Sequence, residues 1–597
     1  MKKDLLAFVP MTKEEMSARG WDELDVLFIT GDAYVDHPSF GIILLARYLI
    51  KHGFRVGLIA QPEYPGMKEG LTKERCLENL KRLGTPKLFV GVGTGVVDSM
   101  LNNYTANKKR RSDDSYSPGD KGGRRPDYAS KVYGELARKA FPQTPIIGGG
   151  VEISMRRLSH YDFWQNKILP SLITEGFYDL IIYGMAEKIT LKLAKHLKAG
   201  GTLSELHQER GLVFQTSLEE AKLIDNRLTV PSFEEVKSDK KKFARFTVYT
   251  FDQINPQNAK TLVQYHGDKA VVVTAPAFAL SSEEMDEVYE LPFTREQHWI
   301  YEEKIPACDM IKFSITTNRG CFGGCSFCAI TLHQGKEVQS RSQKSVLNEV
   351  KEVTKLEDFT GTISDLGGPT ANMYGLGCKN PAAKAVCKRP SCLHPEICPN
   401  LDTNHAEQIE LLQKAEKIEK VKRILIASGV RFDLAMEDPA YLKQLISKHV
   451  GGHLKIAPEH MDDDILKLMR KPPFKKFEEF MELFEKYSKE ANKEQYLVPY
   501  FISSFPGSTP QMMERLSSWL TKEGWKLQQV QNFIPLPMTM AAAMFYTEID
   551  PVSKEPLKVA KNEGARHEQR RLLQTHRFDG VGARAGHSGQ PKKKFKK

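Results

Sequence analysis

The chain of 597 residues has no apolar stretch long enough to cross a membrane. Its longer apolar runs, such as residues 271–280, fall well short of the about 20 residues that a spanning helix needs. The start of the chain also lacks the apolar core of a secretion signal, because Pro10, Glu14 and Glu15 interrupt it. These absences predict a cytoplasmic protein that makes no membrane contact, in a compartment where thiols stay reduced.

A large excess of one charge is absent as well. The net charge is +11, from 86 Lys and Arg against 75 Asp and Glu. Two basic runs, at residues 108–111 and 592–597, could contact phosphates, although such runs are more often solvated. The sequence has no aromatic-rich pair of strands that would predict an RNA-binding platform. Binding of nucleic acid therefore stays an open alternative.

Cysteine is scarce but clustered. Of nine cysteines, three fall within eight residues in the spacing C-x3-C-x2-C, at Cys321, Cys325 and Cys328. Glycines at positions 320, 323 and 324 let this loop curl tightly enough to direct three sulfur atoms at one centre. An odd set does not suit a disulfide framework, and the glycines would not pack a core. Thiolates favour zinc or iron–sulfur centres, and three ligands leave a coordination position open.

The three cysteines (the triad below) resemble the signature of the radical SAM superfamily, in which an aromatic residue precedes the third cysteine, as Phe327 does here. The resemblance implies a 4Fe–4S cluster whose open iron is chelated by the amino and carboxylate groups of S-adenosylmethionine. One electron, from a reductant such as flavodoxin or ferredoxin, would cleave the sulfonium. The product would be a 5′-deoxyadenosyl radical that abstracts hydrogen from a substrate.

Alternation of short apolar strands with helical patterns predicts an N-terminal doubly wound parallel sheet domain over residues 1–200. Its strands are predicted at residues 26–30, 55–59, 88–93, 145–150 and 179–184, with helices at 40–52 and 73–83. The position of this domain resembles that of a cobalamin-binding domain in some radical SAM relatives. The D-x-H-x-x-G motif of that domain is not kept at Asp36 and His37, so cobalamin is not expected.

Three other features lie before the triad. Residues 102–125 are charged and aperiodic, which predicts a long mobile insertion. The glycines at 91, 93 and 95 suit either a phosphate-binding turn or a tight turn. Residues 201–300 predict a connecting subdomain, with strands at 245–250 and 269–274.

Residues 301–550 predict a partial (β/α)6 barrel, so the predicted fold class is α/β throughout. The strands are predicted at residues 311–315, 361–365, 423–428, 453–457, 496–503 and 528–533. The intervening helices are predicted at 342–355, 407–420, 439–448, 477–486 and 511–521. Active sites of such barrels lie at the carboxyl ends of the strands, where the triad loop begins.

Loops at the same barrel mouth are candidates for binding S-adenosylmethionine. Gly367 and Gly368 resemble the family's G-G-E segment, with Pro369 in place of the glutamate, so backbone carbonyls would contact the ligand amine. Ser428 and Glu459 end later strands, where a polar side chain would meet the ribose or the carboxylate. A helix N-terminal charge explains Glu459 equally well.

A second set of four cysteines lies in an insertion over residues 371–404: Cys378, Cys387, Cys392 and Cys398. The glycine- and proline-rich segment lacks helical or strand periodicity, so something other than a core must order it. The reducing compartment disfavours disulfides, which leaves zinc or an auxiliary iron–sulfur cluster as the predicted ligand. Cys76 and Cys308 stand alone and are predicted to be structural.

Residues 551–597 predict a basic extension, with a helix at 559–576 and a disordered tail. The order of domains and the motifs resemble the YgiQ-like, UPF0313-type family of radical SAM proteins over nearly the whole chain. The favoured hypothesis is a radical SAM enzyme acting on a substrate that the motifs do not identify. The alternatives are an RNA-binding protein with structural metal sites and a radical SAM enzyme that modifies RNA.

Overall fold

The first half of the chain forms a nine-stranded sheet in the computed structural model, which describes residues 4–525, 527 and 530–574. Its strands, with the separate hairpin β5–β6, are β1 (Val26–Thr30), β2 (Val56–Ala60), β3 (Phe89–Gly93), β4 (Ile146–Gly149), β5 (His160–Asp162), β6 (Lys167–Leu169), β7 (Leu180–Ile182), β8 (Leu212–Ser217), β9 (Arg227–Val230), β10 (Thr261–His266) and β11 (Lys269–Val273). The order is β2-β1-β3-β4-β7-β8-β11-β10-β9, and the first five strands are parallel.

Helices cover this sheet, and their buried apolar faces build its core. They are α1 (Lys13–Ala18), α2 (Gly41–Lys51), α3 (Lys73–Leu80), α4 (Ser99–Asn103), α5 (Ala129–Ala140), α6 (Val151–Ser154), α7 (Glu187–Lys198), α8 (Leu218–Lys222), α9 (Phe233–Ser238), α10 (Lys240–Phe251) and α11 (Ser282–Tyr289). The predicted α/β class is confirmed. Strands β1, β2 and β3 alternate with α2 and α3 as the sequence pattern predicts.

Residues 201–300, predicted as a connecting subdomain, add the four strands β8–β11 to the same sheet. The strand predicted at 269–274 is confirmed as β11, but the strand predicted at 245–250 is wrong. That segment lies in helix α10, whose buried face includes Phe243, Phe246, Thr247 and Thr250. The spacing of three and four residues on this face outweighs the β-branched composition of the segment.

The second half forms the barrel in short parallel pairs, β12 with β16, β15 with β17, and β18 with β19 and β20. Its strands are β12 (Ser314–Thr316), β13 (Asn318–Arg319), β14 (Gln339–Ser340), β15 (Thr362–Ile363), β16 (Asp365–Gly367), β17 (Arg423–Ile424), β18 (His453–Glu459), β19 (Tyr496–Ser503) and β20 (Gln531–Asn532). The first strand was predicted at 311–315, but helix α12 (Pro306–Ile311) occupies its start.

The remaining helices lie between and after these strands. They are α13 (Ile330–His333), α14 (Gln343–Val353), α15 (Pro381–Val386), α16 (Ala406–Glu416), α17 (Phe432–Ala435), α18 (Pro439–Gln444), α19 (Asp463–Met469), α20 (Phe474–Glu490), α21 (Pro510–Lys522), α22 (Met540–Thr547) and α23 (Glu563–Leu572). A π-helical segment, Leu445–His449, follows α18. Within the described ranges, no helix has the length and apolarity to span a bilayer. The basic run 592–597 lies outside the described residues.

Residues 102–125, predicted as a mobile insertion, are anchored to the N-terminal sheet. Arg125 is fully buried and pairs with Asp32 just beyond β1. Its Nη1 also donates to the carbonyl of Thr94 at 3.0 Å. Asn103 Nδ2 reaches the carbonyl of Arg125 at 3.1 Å, so both ends of the segment are fixed. The carboxylate that pairs with Arg125 belongs to Asp32, more than ninety positions earlier in the chain. The local sequence therefore could not predict that residues 102–125 are ordered.

Arg295 joins the two halves. Its Nη1 donates to the carbonyls of Lys312 and Ser314, both at 2.8 Å, and its Nη2 pairs with Glu349 on α14. The same Nη1 lies 3.0 Å from His37 Nε2, and the backbone N–H of Ser39 donates to His37 Nδ1. Both ring nitrogens of the histidine from the altered cobalamin motif are therefore engaged within the protein.

Glu15 fixes the N-terminal helix to the segment that leads into the barrel. It is fully buried and accepts hydrogen bonds from Met11 N at 2.9 Å, Thr12 N at 3.0 Å and Trp299 Nε1 at 3.0 Å. His298 Nε2 lies 2.7 Å from the same carboxylate. Burial by itself would raise the pKa of Glu15, but the hydrogen bonds and the charge of His298 outweigh it and lower the pKa below 4.5.

We expect Glu15→Gln to destabilise the protein in a pH-dependent way. Because the folded pKa is lowered, ionised Glu15 stabilises the fold above its unfolded pKa, and this stabilisation is lost as the pH falls through the folded value. The loss should be about 1–3 kcal/mol near neutral pH and should shrink in acid. Melting temperatures of both proteins across the acid range measure it, and a constant difference at every pH would contradict the assignment.

Candidate active site

The triad lies on a loop at the carboxyl end of β12, between the short strands β13 and β14. Two of its glycines are required by the backbone. Gly320 has φ +84°, and a Cβ there would lie 2.2 Å from the carbonyl oxygen of Glu337. Gly324 has φ +58°, and a Cβ there would lie 2.1 Å from the carbonyl oxygen of Pro390. The loop is thus closely packed on both sides, as the glycines in the sequence predict.

Each triad sulfur is partly buried and has a polar neighbour. Cys321 Sγ lies 3.4 Å from Thr370 Oγ1 and accepts from Gly323 N at 3.4 Å. Arg431 Nη1 donates to Cys325 Sγ at 3.6 Å, and Ile330 N donates to Cys328 Sγ at 3.5 Å. Donors directed at sulfur stabilise thiolates, which are the form that binds metal.

The surroundings of Cys321 and Cys328 favour protonated thiols as long as no metal is bound. Burial raises the pKa of Cys328 to about 12, and the neighbouring Cys325, Cys321 and Glu459 add to the increase. A bound metal would deprotonate such thiols outright. Among the described residues, no three His, Cys, Asp or Glu side chains are arranged around a single metal ion. Three thiols on one loop are the donors that an iron–sulfur cluster uses, so the donor set fits such a cluster.

The candidate residues for S-adenosylmethionine lie together beside the triad loop. A Cβ on Gly368 would lie 2.5 Å from the carbonyl oxygen of Asn318, and one on Gly367 would lie 3.0 Å from Ser428 Oγ. The carbonyl of Gly367 already accepts from Thr317 N at 2.7 Å, so it is engaged within the barrel. The close approach explains why glycines occupy both positions.

Asp365 holds Ser428 in place, which the sequence analysis did not predict. Its carboxylate accepts from the backbone N–H groups of Ala427 and Ser428 at 2.8 and 3.1 Å and pairs with Ser428 Oγ. Burial raises the pKa of Asp365, although these hydrogen bonds oppose the increase. Asp365 begins β16 and contacts the segment just after β17, which only the tertiary structure shows.

Glu459 and Phe327 take different positions around the triad. Glu459 ends β18 with φ +70°, and its carboxylate lies 3.8 Å from Lys471 Nζ. Burial raises the pKa of Glu459, and Lys471 and Arg431 oppose the shift. Phe327 packs edge-on against Phe505 at a ring distance of 6.3 Å, so it joins the triad loop to the barrel core.

Arg431 is a second residue whose importance the sequence did not reveal. It is buried and forms a bidentate pair with Asp433, at 2.9 Å from Nε and 2.6 Å from Nη2. Its third nitrogen is the donor to Cys325. Asn372 fixes the backbone of Arg431 from both sides. Its Oδ1 accepts from Arg431 N at 2.9 Å, and its Nδ2 donates to the carbonyl of Arg431 at 3.0 Å. A permanent positive charge is therefore held rigidly beside the triad.

The second cysteine set packs directly on the triad loop. Cys392 N donates to the carbonyl of Phe322 at 2.9 Å, and Ser391 Oγ donates to the carbonyl of Gly323 at 2.7 Å. A small apolar cluster lies between the two segments, formed by Phe322, Met373, Leu376, Leu393, Leu401 and Leu434. The insertion contains one short helix, α15, where no periodic structure was predicted. Cys76 and Cys308 are buried elsewhere, as predicted.

A cavity of about 640 Å³ lies between the N-terminal sheet and the barrel. Residues from both sheets line it at the carboxyl ends of parallel strands: Thr30, Gly93 and Gly150 on one side, and Thr316, Gly368 and Ser428 on the other. Gly93 is also required by packing, since a Cβ there would lie 2.8 Å from Ile42. Ligand sites of α/β folds occur at these strand ends, and the volume suits a small molecule.

Comparison with protein families decides the affiliation. Residues 8–314 match the Radical SAM N-terminal family, residues 315–520 the Radical SAM superfamily, and residues 528–580 a domain of unknown function, DUF3362. A UPF0313 protein of Yersinia pestis is 43% identical over 95% of this chain and 79% of its own length. The chain belongs to the UPF0313 family of radical SAM proteins. It is therefore an iron–sulfur enzyme that depends on S-adenosylmethionine.

Other UPF0313 relatives are equally similar. The protein of Bradyrhizobium diazoefficiens is 44% identical over 91% of this chain and 82% of its own length. Solved structures with a similar arrangement include the radical S-adenosylmethionine methyltransferase TsrM of Kitasatospora setae with cobalamin and a 4Fe–4S cluster bound, at 14% identity and a TM-score of 0.46, covering 92% of this chain and 84% of that one. The cobalamin-dependent radical enzyme OxsB has 12% identity and a TM-score of 0.45, covering 90% of this chain and 56% of that one.

Proposed function

We propose that Cys321, Cys325 and Cys328 hold the 4Fe–4S cluster of this UPF0313 enzyme and that the adjoining cavity receives the substrate. One observation carries the proposal: three partly buried thiols share one loop at the carboxyl end of β12, beside Gly367, Gly368 and Ser428. When bound, the cluster would supply the electron that cleaves S-adenosylmethionine to methionine and a 5′-deoxyadenosyl radical.

The protein's own residues would bind and orient the cofactor. The lack of a Cβ at Gly368 lets Asn318 pack closely at the barrel mouth, and Asp365 sets the direction of the Ser428 hydroxyl. Glu459 is near Cys328 and is a candidate partner for the amino group of S-adenosylmethionine. Phe327 would fix the loop through its contact with Phe505.

The cavity wall favours a small substrate. Its charged side chains already have partners within the protein: Asp32 pairs with Arg125, Glu187 pairs with Arg319, and Asp365 accepts hydrogen bonds from Ala427 and Ser428. The rest of the wall near the barrel consists of glycine, hydroxyl and apolar side chains, together with the polar residues His333 and Gln334. The position of the cavity between the N-terminal sheet and the barrel would limit the access of water to a reactive radical. A largely uncharged molecule, or an uncharged part of a larger one, suits this wall.

Anaerobic reconstitution tests the proposal. The purified protein should show the electron paramagnetic resonance spectrum of a reduced 4Fe–4S cluster, and S-adenosylmethionine should change that spectrum. Added reductant should then produce 5′-deoxyadenosine, measured by chromatography. A cluster whose spectrum does not respond to S-adenosylmethionine would refute the assignment of the triad as its open-coordinated site.

We expect Gly368→Ala to weaken the binding of S-adenosylmethionine by about tenfold or more. The new Cβ would lie 2.5 Å from the carbonyl oxygen of Asn318 and 2.8 Å from its Oδ1, so the barrel mouth must shift. Iron content should not change, because the triad loop is held by other contacts. Gly377→Ala is a matched control, since nothing lies within 4 Å of its added Cβ. Equal affinity of both variants in a spectroscopic titration would contradict the assignment.

Binding of RNA stays a prediction for the basic runs. The run 592–597 lies outside the described residues. In the other run, Lys108 donates to the carbonyl of Phe163 at 2.9 Å and Arg110 lies over the ring of Tyr104, so two of its four cations have intramolecular partners. A salt-sensitive RNA affinity that falls on removal of residues 592–597 would support this alternative. The reductant, a flavodoxin or ferredoxin, and the cytoplasmic location also remain predictions.

A further inference from the structure

The insertion that carries the second cysteine set is folded around its cysteines by backbone hydrogen bonds. Cys398 N donates to the carbonyl of Cys392 at 2.8 Å, and Leu401 N donates to the carbonyl of Cys398 at 2.8 Å. Leu401 in turn forms an antiparallel bridge with Cys378. Three of the four cysteines are therefore connected through single backbone contacts, although up to 20 positions separate them in sequence.

The fourth cysteine is held from the triad side. Lys336, which follows the triad loop, extends its Nζ to 3.5 Å from Cys387 Sγ and 2.6 Å from the carbonyl of Arg389. Asn255 and Asn258 donate to the carbonyl of Cys387 at 2.9 and 3.2 Å. The lysine is 8% exposed, and its charge would offset that of the thiolates.

The insertion has too little core to order itself. Helix α15 buries none of its side chains, and the apolar cluster beneath the insertion is shared with the triad loop. Short segments with so little buried apolar surface usually need a metal or a disulfide, and the structure contains no disulfide among its cysteines. Four thiols on such a segment supply a complete ligand set for a metal centre.

We propose that Cys378, Cys387, Cys392 and Cys398 bind a second iron–sulfur cluster, which exchanges electrons with the cluster of the triad. Four thiolates suit structural zinc as well as a cluster, and the packing of this set on the triad loop favours a redox centre. Proximity supports the redox role, since the hydrogen bond from Cys392 to Phe322 joins a ligand of one site to the residue beside Cys321. The redox role rests on the proposed function, whereas metal binding does not.

The proposed transfer moves one electron at a time. A reduced flavodoxin- or ferredoxin-type protein would reduce the second cluster, which would pass the electron to the first cluster and return to its oxidised state. That electron would then break the carbon–sulfur bond of S-adenosylmethionine, giving methionine and the adenosyl radical. This cleavage consumes one electron and requires neither a proton nor an oxidant.

Metal analysis of the full-length protein, purified without oxygen, tests the site. Wild type should contain about eight iron and eight sulfide per chain, and Cys387→Ser and Cys325→Ala should each retain about four. Cys76→Ser, which alters a buried cysteine outside both sets, should match wild type. About four iron and one zinc in wild type, with the zinc lost in Cys387→Ser, would overturn the proposal, as would four alkylatable thiols without bound metal.

Failure of the second site is distinguishable from failure of the first. If the triad binds no cluster, Cys325→Ala keeps the iron content of wild type, whereas Cys387→Ser loses iron. The redox role has a separate test. In Cys387→Ser, reduced flavodoxin or ferredoxin should no longer reduce the triad cluster. Dithionite should still reduce that cluster and produce its electron paramagnetic resonance signal. If flavodoxin or ferredoxin still reduces the triad cluster in Cys387→Ser, electron transfer through the second cluster is refuted. Wild-type metal content decides the site even if the variants do not fold.

Discussion

Replacing Cys325 with alanine is expected to abolish the cluster that binds S-adenosylmethionine while the protein stays folded. Two thiolates cannot retain the cubane, so iron should fall by about four per chain and formation of 5′-deoxyadenosine should fall below detection. The barrel core does not depend on the Cys325 side chain, whose sulfur accepts a hydrogen bond from Arg431 Nη1 at 3.6 Å. Iron and sulfide analysis, circular dichroism and the deoxyadenosine assay measure the three expectations.

Cys308→Ala is the control for this variant. Cys308 is a buried cysteine just before the barrel that lies outside both cysteine sets, and its sulfur faces the carbonyl of Arg295 at 3.9 Å. It should keep full iron content and activity. Unchanged iron and unchanged cofactor cleavage in Cys325→Ala would refute the assignment of the triad as ligands.

Replacing Arg431 with methionine is expected to produce the largest loss of stability, about 3–5 kcal/mol, by leaving Asp433 buried and unpaired. Arg431 and Asp433 are both buried, at 7% and 6% exposure, and form two parallel hydrogen bonds. The arginine holds the pKa of Asp433 below its usual value against the opposing effect of burial. Loss of the arginine would force the carboxyl group to take up a proton or the loop to open.

A double-mutant cycle separates the ion pair from simple packing. If the unpaired carboxylate causes the loss, adding Asp433→Asn to Arg431→Met should restore part of the stability. Thermal unfolding of the apo-proteins measures this. If the losses of stability in the two single variants simply add in the double variant, the Arg431–Asp433 ion pair is not the cause of the loss.

The same charge should affect the redox potential of the triad cluster. Without the cation beside Cys325, a reduced and more negative cluster is less stable, so its potential should fall in Arg431→Met. Arg431→Lys keeps the charge but not the bidentate geometry, and should keep more of the potential than of the stability. Redox titration followed by electron paramagnetic resonance measures it, and an unchanged potential in Arg431→Met would show that the charge does not reach the cluster.

Short-range patterns predicted much of the fold. Strands β1 and β19 have the predicted bounds, Val26–Thr30 and Tyr496–Ser503. Both are apolar runs whose residues need few distant partners to adopt a strand. Helix α10 was predicted as a strand because its β-branched and aromatic residues suit either structure, and only the packing of Phe243, Phe246 and Thr250 decided it.

The role of the triad as cluster ligands was predicted by sequence alone, because ligand type, spacing and glycines all lie within one loop. Family membership followed from the same residues. Tertiary structure alone decided the contacts that span the chain: Arg125 with Asp32, Arg431 with Cys325, Asp365 with Ser428, and Cys392 with Phe322. Each joins residues that strand pairing and loop packing bring together from 60 to more than 100 positions apart, a separation over which local sequence carries no signal.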